Sequence, residues 1–239
     1  MRIIAVIPAR YEAQRFPGKL LVNLNGKTVL QRTHEAVVNT NLFDEVWVAT
    51  DSDQIEKHVH SLGGKVFRSV VDHDCGSNRV AECVQDKDTD VVINVQGDEP
   101  FIAQKALANL ISAFKQDTAK IIDLASLMIP IKSQEDLENP NVVKVVTDQQ
   151  GRALYFSRSP IPFMRSEGQA FRHVGIYAFR KAALLDFYAQ SPTPLEKAEK
   201  IEAIRYLEMG KVMQMLQTDF VGVGIDTPQD LERAKALLG

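Results

Sequence analysis

Short apolar runs alternate with segments of helical spacing over the first half of the chain. The run from Ile3 to Ile7 is apolar and β-branched, which is typical of a strand covered on both faces. Further strands are predicted at 46–50, 65–68 and 91–95, and helices near 28–39, 53–62, 79–84 and 103–115. Because strands and helices alternate, we expect a parallel sheet built by right-handed crossovers.

The pattern changes in the second half, where strands follow one another with few helices between them. These strands are predicted at 123–129, 142–147, 153–157 and 174–179. They indicate antiparallel pairs added to the sheet. A charged helix is expected near 195–209, a strand at 212–216, and a final helix that starts at Asp226-Thr227-Pro228. The fold class predicted is therefore α/β, an open and mostly parallel sheet with flanking helices, in a single domain over 1–239.

Composition narrows the class of protein without indicating an activity. Hydrophobic residues make up 45% of the chain, which excludes a disordered protein. The net charge of −3 disfavours a nucleic-acid partner, and no apolar run approaches the roughly 20 residues that span a membrane. The first apolar run is too short for a signal peptide. We expect a cytoplasmic protein in which Cys75 and Cys83 are reduced thiols.

Three cations lie close together in the loop that follows the first strand. They are Arg10, Arg15 and Lys19, and they repel one another unless an anion joins them. A triphosphate fits this arrangement, because arginine binds phosphate oxygens in pairs and lysine supplies a point charge. Gly18 is expected to let the backbone approach the phosphates. A solvated basic turn is the alternative, and the loop matches neither the P-loop nor the dinucleotide-binding fingerprint.

Carboxylates follow another buried strand, in the segment Gln96-Gly97-Asp98-Glu99-Pro100. Ligands of open parallel sheets bind beyond the carboxyl ends of the strands. Mg²⁺ needs one or two carboxylates together with phosphate oxygens and water, so Asp98 is predicted as a metal ligand and Asp226 as a second one. The alternative for each of these carboxylates is a helix N-cap.

Seven segments together carry a resemblance that extends from Arg2 to about Ala234. They are Ile7–Arg10, Arg15–Lys19, Val48–Asp51, Val92–Pro100, Tyr155–Arg158, Arg172–Tyr177 and Gly224–Pro228. In these segments the chain resembles the 3-deoxy-manno-octulosonate (Kdo) cytidylyltransferases. The first loop alone indicates only a sugar nucleotidyltransferase, whereas Val92–Pro100 with Arg172–Tyr177 is far more specific.

The resemblance implies a fold, a reaction and a partner. The fold would be the nucleotide-binding sheet of the sugar nucleotidyltransferases, with a sugar-binding and dimerisation segment near 150–205. The reaction would join CTP and Kdo to give CMP-Kdo and pyrophosphate, with Mg²⁺ as cofactor, and would activate the sugar for lipopolysaccharide synthesis. The protein would be a homodimer.

The resemblance also implies roles for individual residues. Catalytic roles fall to Arg15, Lys19 and Asp98, and metal binding to Asp98 and Asp226. Substrate contacts fall to Arg10, Ser77, Arg79, Gln96, Arg165, His173, Tyr177 and Glu202, of which Arg165, His173, Tyr177 and Glu202 would meet the sugar acid. Without the resemblance, His173 would be interpreted as a structural histidine and Glu202 as part of a solvated helix face.

The chain departs from the family pattern in two places. Cys75-Gly76-Ser77-Asn78-Arg79 replaces the usual Ser-Gly-Thr-Asp/Glu-Arg, and Phe163-Met164 replaces Trp-Asp. The first departure affects the choice of pyrimidine and the second the choice of sugar. A related 2-keto sugar acid, such as 8-amino-Kdo or a sialate, stays open as substrate. A glycosyltransferase and a non-catalytic nucleotide-binding module are the more distant alternatives.

Overall fold

A computed structural model describes residues 1–12, 15–73, 75–220 and 222–238. The chain forms two compact units, one from 1–107 with the C-terminal segment from Gly222, and one over 108–221. Compact units can belong to one fold, so a single domain over 1–239 stays a prediction.

Every strand that the apolar pattern predicts is present, in the predicted order. The strands are β1 (Ile3–Ala9), β2 (Asn23–Leu24), β3 (Lys27–Thr28), β4 (Glu45–Thr50), β5 (Lys65–Arg68), β6 (Val91–Asn94), β7 (Leu124–Pro130), β8 (Lys144–Thr147), β9 (Ala153–Ser157), β10 (Phe171–Arg180) and β11 (Met213–Gln217). The helices are α1 (Val29–Val38), α2 (Asp53–Ser61), α3 (Gly76–Val84), α4 (Gln104–Gln116), α5 (Gln134–Glu138), α6 (Lys181–Ala189), α7 (Pro194–Glu199), α8 (Ala203–Glu208) and α9 (Pro228–Leu237), with a 3₁₀ turn at Lys19–Leu21.

The first unit is built on a parallel sheet in the order β6-β1-β4-β5. Val6 of β1 lies opposite Asn94 on one side and Trp47 on the other, and every residue of β1 is buried. Helices α1 and α3 pack against this strand. The parallel sheet with flanking helices is thus confirmed, and its carboxyl ends lie at one edge.

The second unit contains the antiparallel additions that the sequence predicts. Strand β7 pairs in parallel with β11 and antiparallel with β10. Strand β8 pairs antiparallel with both β10 and β9. The predicted fold class is therefore confirmed in both of its features.

One predicted helix is wrong in its extent, because the segment near 195–209 forms two helices, α7 and α8. Lys200 ends α7 in the left-handed conformation, with φ 56°. Neither glycine nor proline marks this break in the sequence. Helices α5 and α6 were not predicted, and α3 begins at Gly76, three residues before the predicted start.

Cys75 and Cys83 form no disulfide bond within the described part of the chain. Burial raises the pKa of Cys83 to about 12. Within the described ranges, no helix is long and apolar enough to cross a bilayer.

Replacing Ile4 by alanine tests whether β1 is central to the core. Ile4 is fully buried, so the cavity should lower the free energy of unfolding by about 2 to 5 kcal/mol. Ile121→Ala is the matched control, because Ile121 is 59% exposed and its loss should change stability by less than about 0.5 kcal/mol. Urea denaturation of both variants measures this; equal losses would contradict the assignment of the core.

Candidate functional site

The loop after β1 is closed by the backbone, which places Lys19 beside the end of the strand. The amide of Gly18 donates to the carbonyl of Tyr11 over 2.9 Å. Gly18 has φ +70° and precedes the 3₁₀ turn that begins at Lys19. Glycine is thus needed here for its left-handed conformation, which other residues adopt only with strain. The approach of phosphates, which the sequence suggested for Gly18, stays a prediction.

The amine of Lys19 lies between two carboxylates in the first unit. Its Nζ donates to Oδ2 of Asp98, and to Oδ1 of Asp226 over 2.8 Å. Arg15 adds a second positive charge, with Nη2 at 3.1 Å from Oδ2 of Asp226. Burial lowers the pKa of Lys19, but the two carboxylates outweigh that effect and raise it. The structure therefore brings together the four residues predicted for catalysis and metal binding.

Backbone contacts explain why Asp226 meets Asp98. The amide of Ile225 donates to the carbonyl of Asp98 over 3.0 Å, which fixes the segment before α9 against the loop after β6. Thr227, and not Asp226, is the N-cap of α9, where it forms a capping box with Asp230. Helix α4 begins only at Gln104, so Asp98 caps no helix either. Both carboxylates are thus available for chemistry.

Glu99 is a third carboxyl group beside this pair. Its Oε2 is buried and has no hydrogen-bond partner among the described residues. Burial, together with the neighbouring carboxylates of Asp98 and Asp226, raises the pKa of Glu99 to about 7 against the lowering effect of Lys19. A Cβ at Gly222 would lie 2.7 Å from Oε2, so a larger residue there would require the Glu99 side chain to move. The three carboxyl groups thus concentrate negative charge around one amine.

Arg10 is held by the backbone of the segment that follows β5. Its guanidinium donates to the backbone carbonyl of His73. The carboxylate of Glu82 on α3 binds His73 Nε2 over 2.6 Å and Ser69 Oγ over 2.5 Å. The amide of Val70 donates to the same carboxylate over 3.2 Å. Helix α3 therefore anchors the segment that orients Arg10.

The other predicted nucleotide contacts in this unit surround the start of α3. Arg79 is fully buried, forms an ion pair with Asp51 and donates to the carbonyl of Ala9 over 3.3 Å. Bonding with the Arg79 guanidinium lowers the pKa of Asp51. Ser77 is buried, and Gln96 is half-buried near Gly76. Arg79 thus joins the ends of β1 and β4, and its direct contact with a substrate stays a prediction.

Two clefts open at this edge of the first unit. The larger one, of about 980 Å³, is lined by Arg10, Tyr11, Glu12, Pro17, Asp51, Ser52 and Asp72. The smaller one, of about 210 Å³, is lined by Pro8, Arg10, Glu12, Lys19, Leu20, Gly76, Gln96, Gly97 and Asp98. Arg10 and Glu12 line both clefts, so Arg10, Lys19 and Asp98 face space in which a ligand can bind.

The arrangement of carboxylates fits a hard divalent cation bound together with phosphates. No group of three or more His, Cys, Asp or Glu side chains is placed to hold a metal within the described part of the chain. Asp98 and Asp226 nevertheless converge on one cationic group, the Lys19 amine. Two carboxylates completed by phosphate oxygens and water are a usual Mg²⁺ site. Asp98 and Asp226 therefore fit the predicted metal, given a phosphate ligand.

In the second unit, a bulge in β10 brings His173 beside Tyr177. His173 lies opposite Met128 of β7 and Tyr177 opposite Ser126, two positions apart, so both rings are on one face. Their ring centroids are 5.3 Å apart, and Phe156 contacts His173 edge-on at 5.1 Å. Burial lowers the pKa of His173 to about 4. Two of the four predicted sugar-binding residues thus lie side by side.

The other two predicted sugar-binding residues lie elsewhere in this unit. Arg165 is exposed in the segment between β9 and β10, and Glu202 is the N-cap residue of α8. Glu202 is therefore not on the solvated face of one long helix, as its sequence alone suggested. Contact of these residues with a sugar stays a prediction.

Sequence reasoning assigned no role to three residues that shape the site of the first unit. Glu99 was seen only as a neighbour of Asp98, although its position in an acidic run after a buried strand was a signal. The roles of His73 and Glu82 have no local signal in the sequence. His73 acts through its backbone carbonyl, and Glu82 acts through a contact with His73, nine residues away.

Comparisons with known proteins identify close relatives. The family described as "Cytidylyltransferase" matches residues 4–214. A 3-deoxy-manno-octulosonate cytidylyltransferase of Christiangramia forsetii is 56% identical, over 99% of this chain and 97% of the relative. One of the same name from Flavobacterium johnsoniae is 55% identical, over 100% and 99% of the two chains.

Solved structures show the same likeness. CMP:2-keto-3-deoxy-manno-octonic acid synthetase complexed with CTP has a TM-score of 0.94 and 36% identity, over 100% of this chain and 98% of that one. The 4-diphosphocytidyl-2C-methyl-D-erythritol synthase of Anaerococcus prevotii has a TM-score of 0.65 and 16% identity, over 99% and 98% of the two chains, and shares the fold.

The lowered pKa of His173 predicts a pH dependence of stability. The unfolded chain takes up a proton on this imidazole near its ordinary value of 6.5, whereas the folded protein does so only near 4. The stability that comes from keeping this imidazole neutral is therefore complete above pH 6.5. It is lost as the pH falls towards 4, which lowers the free energy of unfolding by about 3 kcal/mol in total.

His173→Phe keeps an aromatic ring and removes this titration. Urea denaturation should show that the wild type loses stability relative to the variant between pH 6.5 and pH 4, with a constant difference at higher pH. Parallel stability curves across this range would contradict the lowered pKa.

Proposed function

The chain belongs to the 3-deoxy-manno-octulosonate cytidylyltransferase family, and we propose that Asp98, Asp226, Lys19 and Arg15 form its catalytic centre with Mg²⁺. Family membership makes the protein a nucleotidyltransferase that uses CTP and Kdo. The products are CMP-Kdo and pyrophosphate. The observation that carries the proposed centre is the convergence of the Asp98 and Asp226 carboxylates on the Lys19 amine.

The reaction joins the anomeric hydroxyl of the sugar acid to the α-phosphorus of CTP. The oxygen–phosphorus bond to pyrophosphate breaks, and the hydroxyl loses its proton. Such transfers depend chiefly on positioning and on charge neutralisation. A divalent cation supplies Lewis-acid activation of the attacking hydroxyl. Asp98 and Asp226 would hold this cation and orient it towards the phosphates.

The cations of the first loop have a separate task. The Lys19 amine and the Arg15 guanidinium would stabilise the negative charge that develops on the departing pyrophosphate. Arg10, oriented through the His73 carbonyl, would bind the triphosphate. Ser77, Arg79 and Gln96 would complete the nucleotide site. The near-neutral balance of the three cations against Asp98, Glu99 and Asp226 supports binding of a metal–nucleotide complex over a free anion.

The sugar acid would be bound by Arg165, His173, Tyr177 and Glu202 of the second unit. The exposed guanidinium of Arg165 is the group best suited to the sugar carboxylate, because it is charged and carries paired donors. Phe163 and Met164, beside Arg165, leave 8-amino-Kdo or another 2-keto sugar acid as an alternative substrate. Measuring product formation with a panel of 2-keto sugar acids distinguishes between these possible substrates.

The assembly and the cellular site are also proposals. A homodimer is supported by the exposed apolar side chains of Phe163 and Met164 in the predicted dimerisation segment. A cytoplasmic location is supported by the need for CTP, and the product would serve lipopolysaccharide synthesis. A non-catalytic nucleotide-binding module is disfavoured because Lys19, Asp98 and Asp226 are all present and placed together.

Asp98→Asn tests the catalytic centre. The wild type should release pyrophosphate from CTP and Kdo when Mg²⁺ is present, and lose this activity on chelation. The variant should lose at least about 100-fold in kcat, because its amide cannot balance a divalent cation. Asp88→Asn is the matched control, since the Asp88 side chain is 93% exposed and should leave the rate unchanged. Near-normal turnover of Asp98→Asn would overturn the assignment.

Lys19→Ala tests the phosphate role of the amine. Loss of a charged donor should raise the KM for CTP about 10- to 100-fold, with little change in the KM for Kdo. The control is Lys27→Ala, which removes an exposed ion pair with Glu35. Initial rates at varied CTP measure the effect; an unchanged KM and kcat would contradict it.

A further inference from the structure

At the bulge in β10, a side-chain hydroxyl contacts two backbone carbonyls. Pairing with β7 passes directly from Val174, opposite Leu127, to Tyr177, opposite Ser126. Gly175 and Ile176 have no partner in this pairing. The Ser126 hydroxyl occupies the gap, with Oγ 3.0 Å from the carbonyl oxygen of Val174 and 2.8 Å from that of Ile176. This hydroxyl is fully buried.

The single proton of the Ser126 hydroxyl determines whether His173 donates or accepts a hydrogen bond at Nε2. The same Oγ lies 2.9 Å from His173 Nε2. A hydroxyl has one proton to donate, and both carbonyl oxygens can only accept. If that proton went to Nε2, the oxygen lone pairs of Ser126 would face both carbonyl oxygens at hydrogen-bond distance. The favourable arrangement has the hydroxyl donating to the carbonyls and accepting a proton from Nε2–H.

This arrangement fixes the chemistry of the other ring nitrogen. With the proton on Nε2, Nδ1 of the neutral ring carries a lone pair and can only accept a hydrogen bond. Among the described residues, Ser126 is the hydrogen-bond partner of the His173 ring. The rings of Phe156 and Tyr177 pack against the His173 ring, with their centroids 5.1 and 5.3 Å from its centroid, and restrict its rotation. The second nitrogen is thus a preset acceptor.

A neutral acceptor discriminates between the groups of a sugar acid. The carboxylate has only acceptor oxygens, which an Nδ1 lone pair repels. A sugar hydroxyl can donate to Nδ1. Because burial holds the pKa of His173 at about 4, the imidazole has no positive charge near neutral pH with which to attract a carboxylate.

We propose that Ser126 is a positioning residue that holds His173 as the Nε2–H tautomer, so that His173 accepts a hydrogen bond from a hydroxyl of the sugar acid at Nδ1. The carboxylate of the sugar is left to a cation such as Arg165. This inference rests on the proposed function for its ligand, whereas the tautomer itself belongs to the protein alone.

Nitrogen NMR of the substrate-free protein tests the tautomer independently of activity. With ¹⁵N-labelled histidine, and His173→Phe to assign its signals, the wild type should show Nε2 protonated and Nδ1 unprotonated at neutral pH. A proton on Nδ1, or a charged ring, would overturn the proposal. His58, whose Nε2 lies 2.7 Å from Thr28 Oγ1, serves as reference, since its signals should be unchanged in Ser126→Ala.

Deoxy analogues identify the group that Nδ1 contacts. Inhibition constants are measured for wild type and His173→Phe, with analogues that each lack one hydroxyl and with one whose carboxylate is esterified. The effect of His173→Phe and the effect of removing a hydroxyl should be non-additive for one hydroxyl only. The effect of His173→Phe and that of esterifying the carboxylate should be additive, because only groups that interact depart from additivity. Non-additivity for the ester alone would assign His173 to the carboxylate and overturn the proposal.

Ser126→Ala tests the positioning role by comparing its effects on the KM values for the two substrates. Loss of the tautomer-fixing bond should raise the KM for Kdo about three- to tenfold with the KM for CTP unchanged, and Ser126→Thr should restore it. Thr40→Ala is the matched control, because it also removes a buried hydroxyl that donates to a carbonyl, that of Val37. An unchanged KM for Kdo in Ser126→Ala, or equal changes for both substrates, would remove the role. If the wild type released no pyrophosphate while the NMR result held, the proposed function would fail and the tautomer would stand.

Discussion

A single ammonium group, that of Lys19, contacts both carboxylates on which the candidate site depends. Lys19 lies 79 residues from Asp98 and 207 from Asp226 along the chain, yet it contacts both. Without a cation at this point, three carboxyl groups would repel one another in a partly buried place. The fold therefore needs positive charge here before any substrate arrives, and the same need makes the place suitable for a metal bound to phosphates.

The backbone, more than the side chains, sets this arrangement. The left-handed turn at Gly18 aims Lys19 at the sheet edge, and the Ile225–Asp98 hydrogen bond holds the second carboxylate in place. The pKa of Glu99 shows how closely this arrangement brings the carboxyl groups together. Burial, with two carboxylates nearby, raises its pKa to about 7 although Lys19 lowers it, so the cluster is crowded with negative charge that one amine does not fully offset.

The sequence predicts what depends on local pattern and misses what depends on distant contacts. Buried strands such as β1 and β6 follow from continuous apolar runs, and the cations of the first loop follow from their spacing. The break at Lys200 has no local signal, because a lysine is held there in the left-handed conformation with neither glycine nor proline to mark it. The raised pKa of Glu99 could not be predicted, because its largest cause is burial in the folded chain, to which Asp98 and then Asp226, from the far end of the chain, add.

His173 shows why a residue's presence in a motif does not give its chemical role. The family motif predicts a histidine near a sugar acid, and charge alone would suggest that it binds the carboxylate. The bulge at Gly175 and Ile176 turns two carbonyls towards Ser126, and the single proton of that hydroxyl then decides which nitrogen of His173 is protonated. The role of the imidazole is therefore set by a backbone irregularity on its own strand. Selection between a hydroxyl and a carboxylate follows from that proton, because an unprotonated Nδ1 accepts from the first and repels the second.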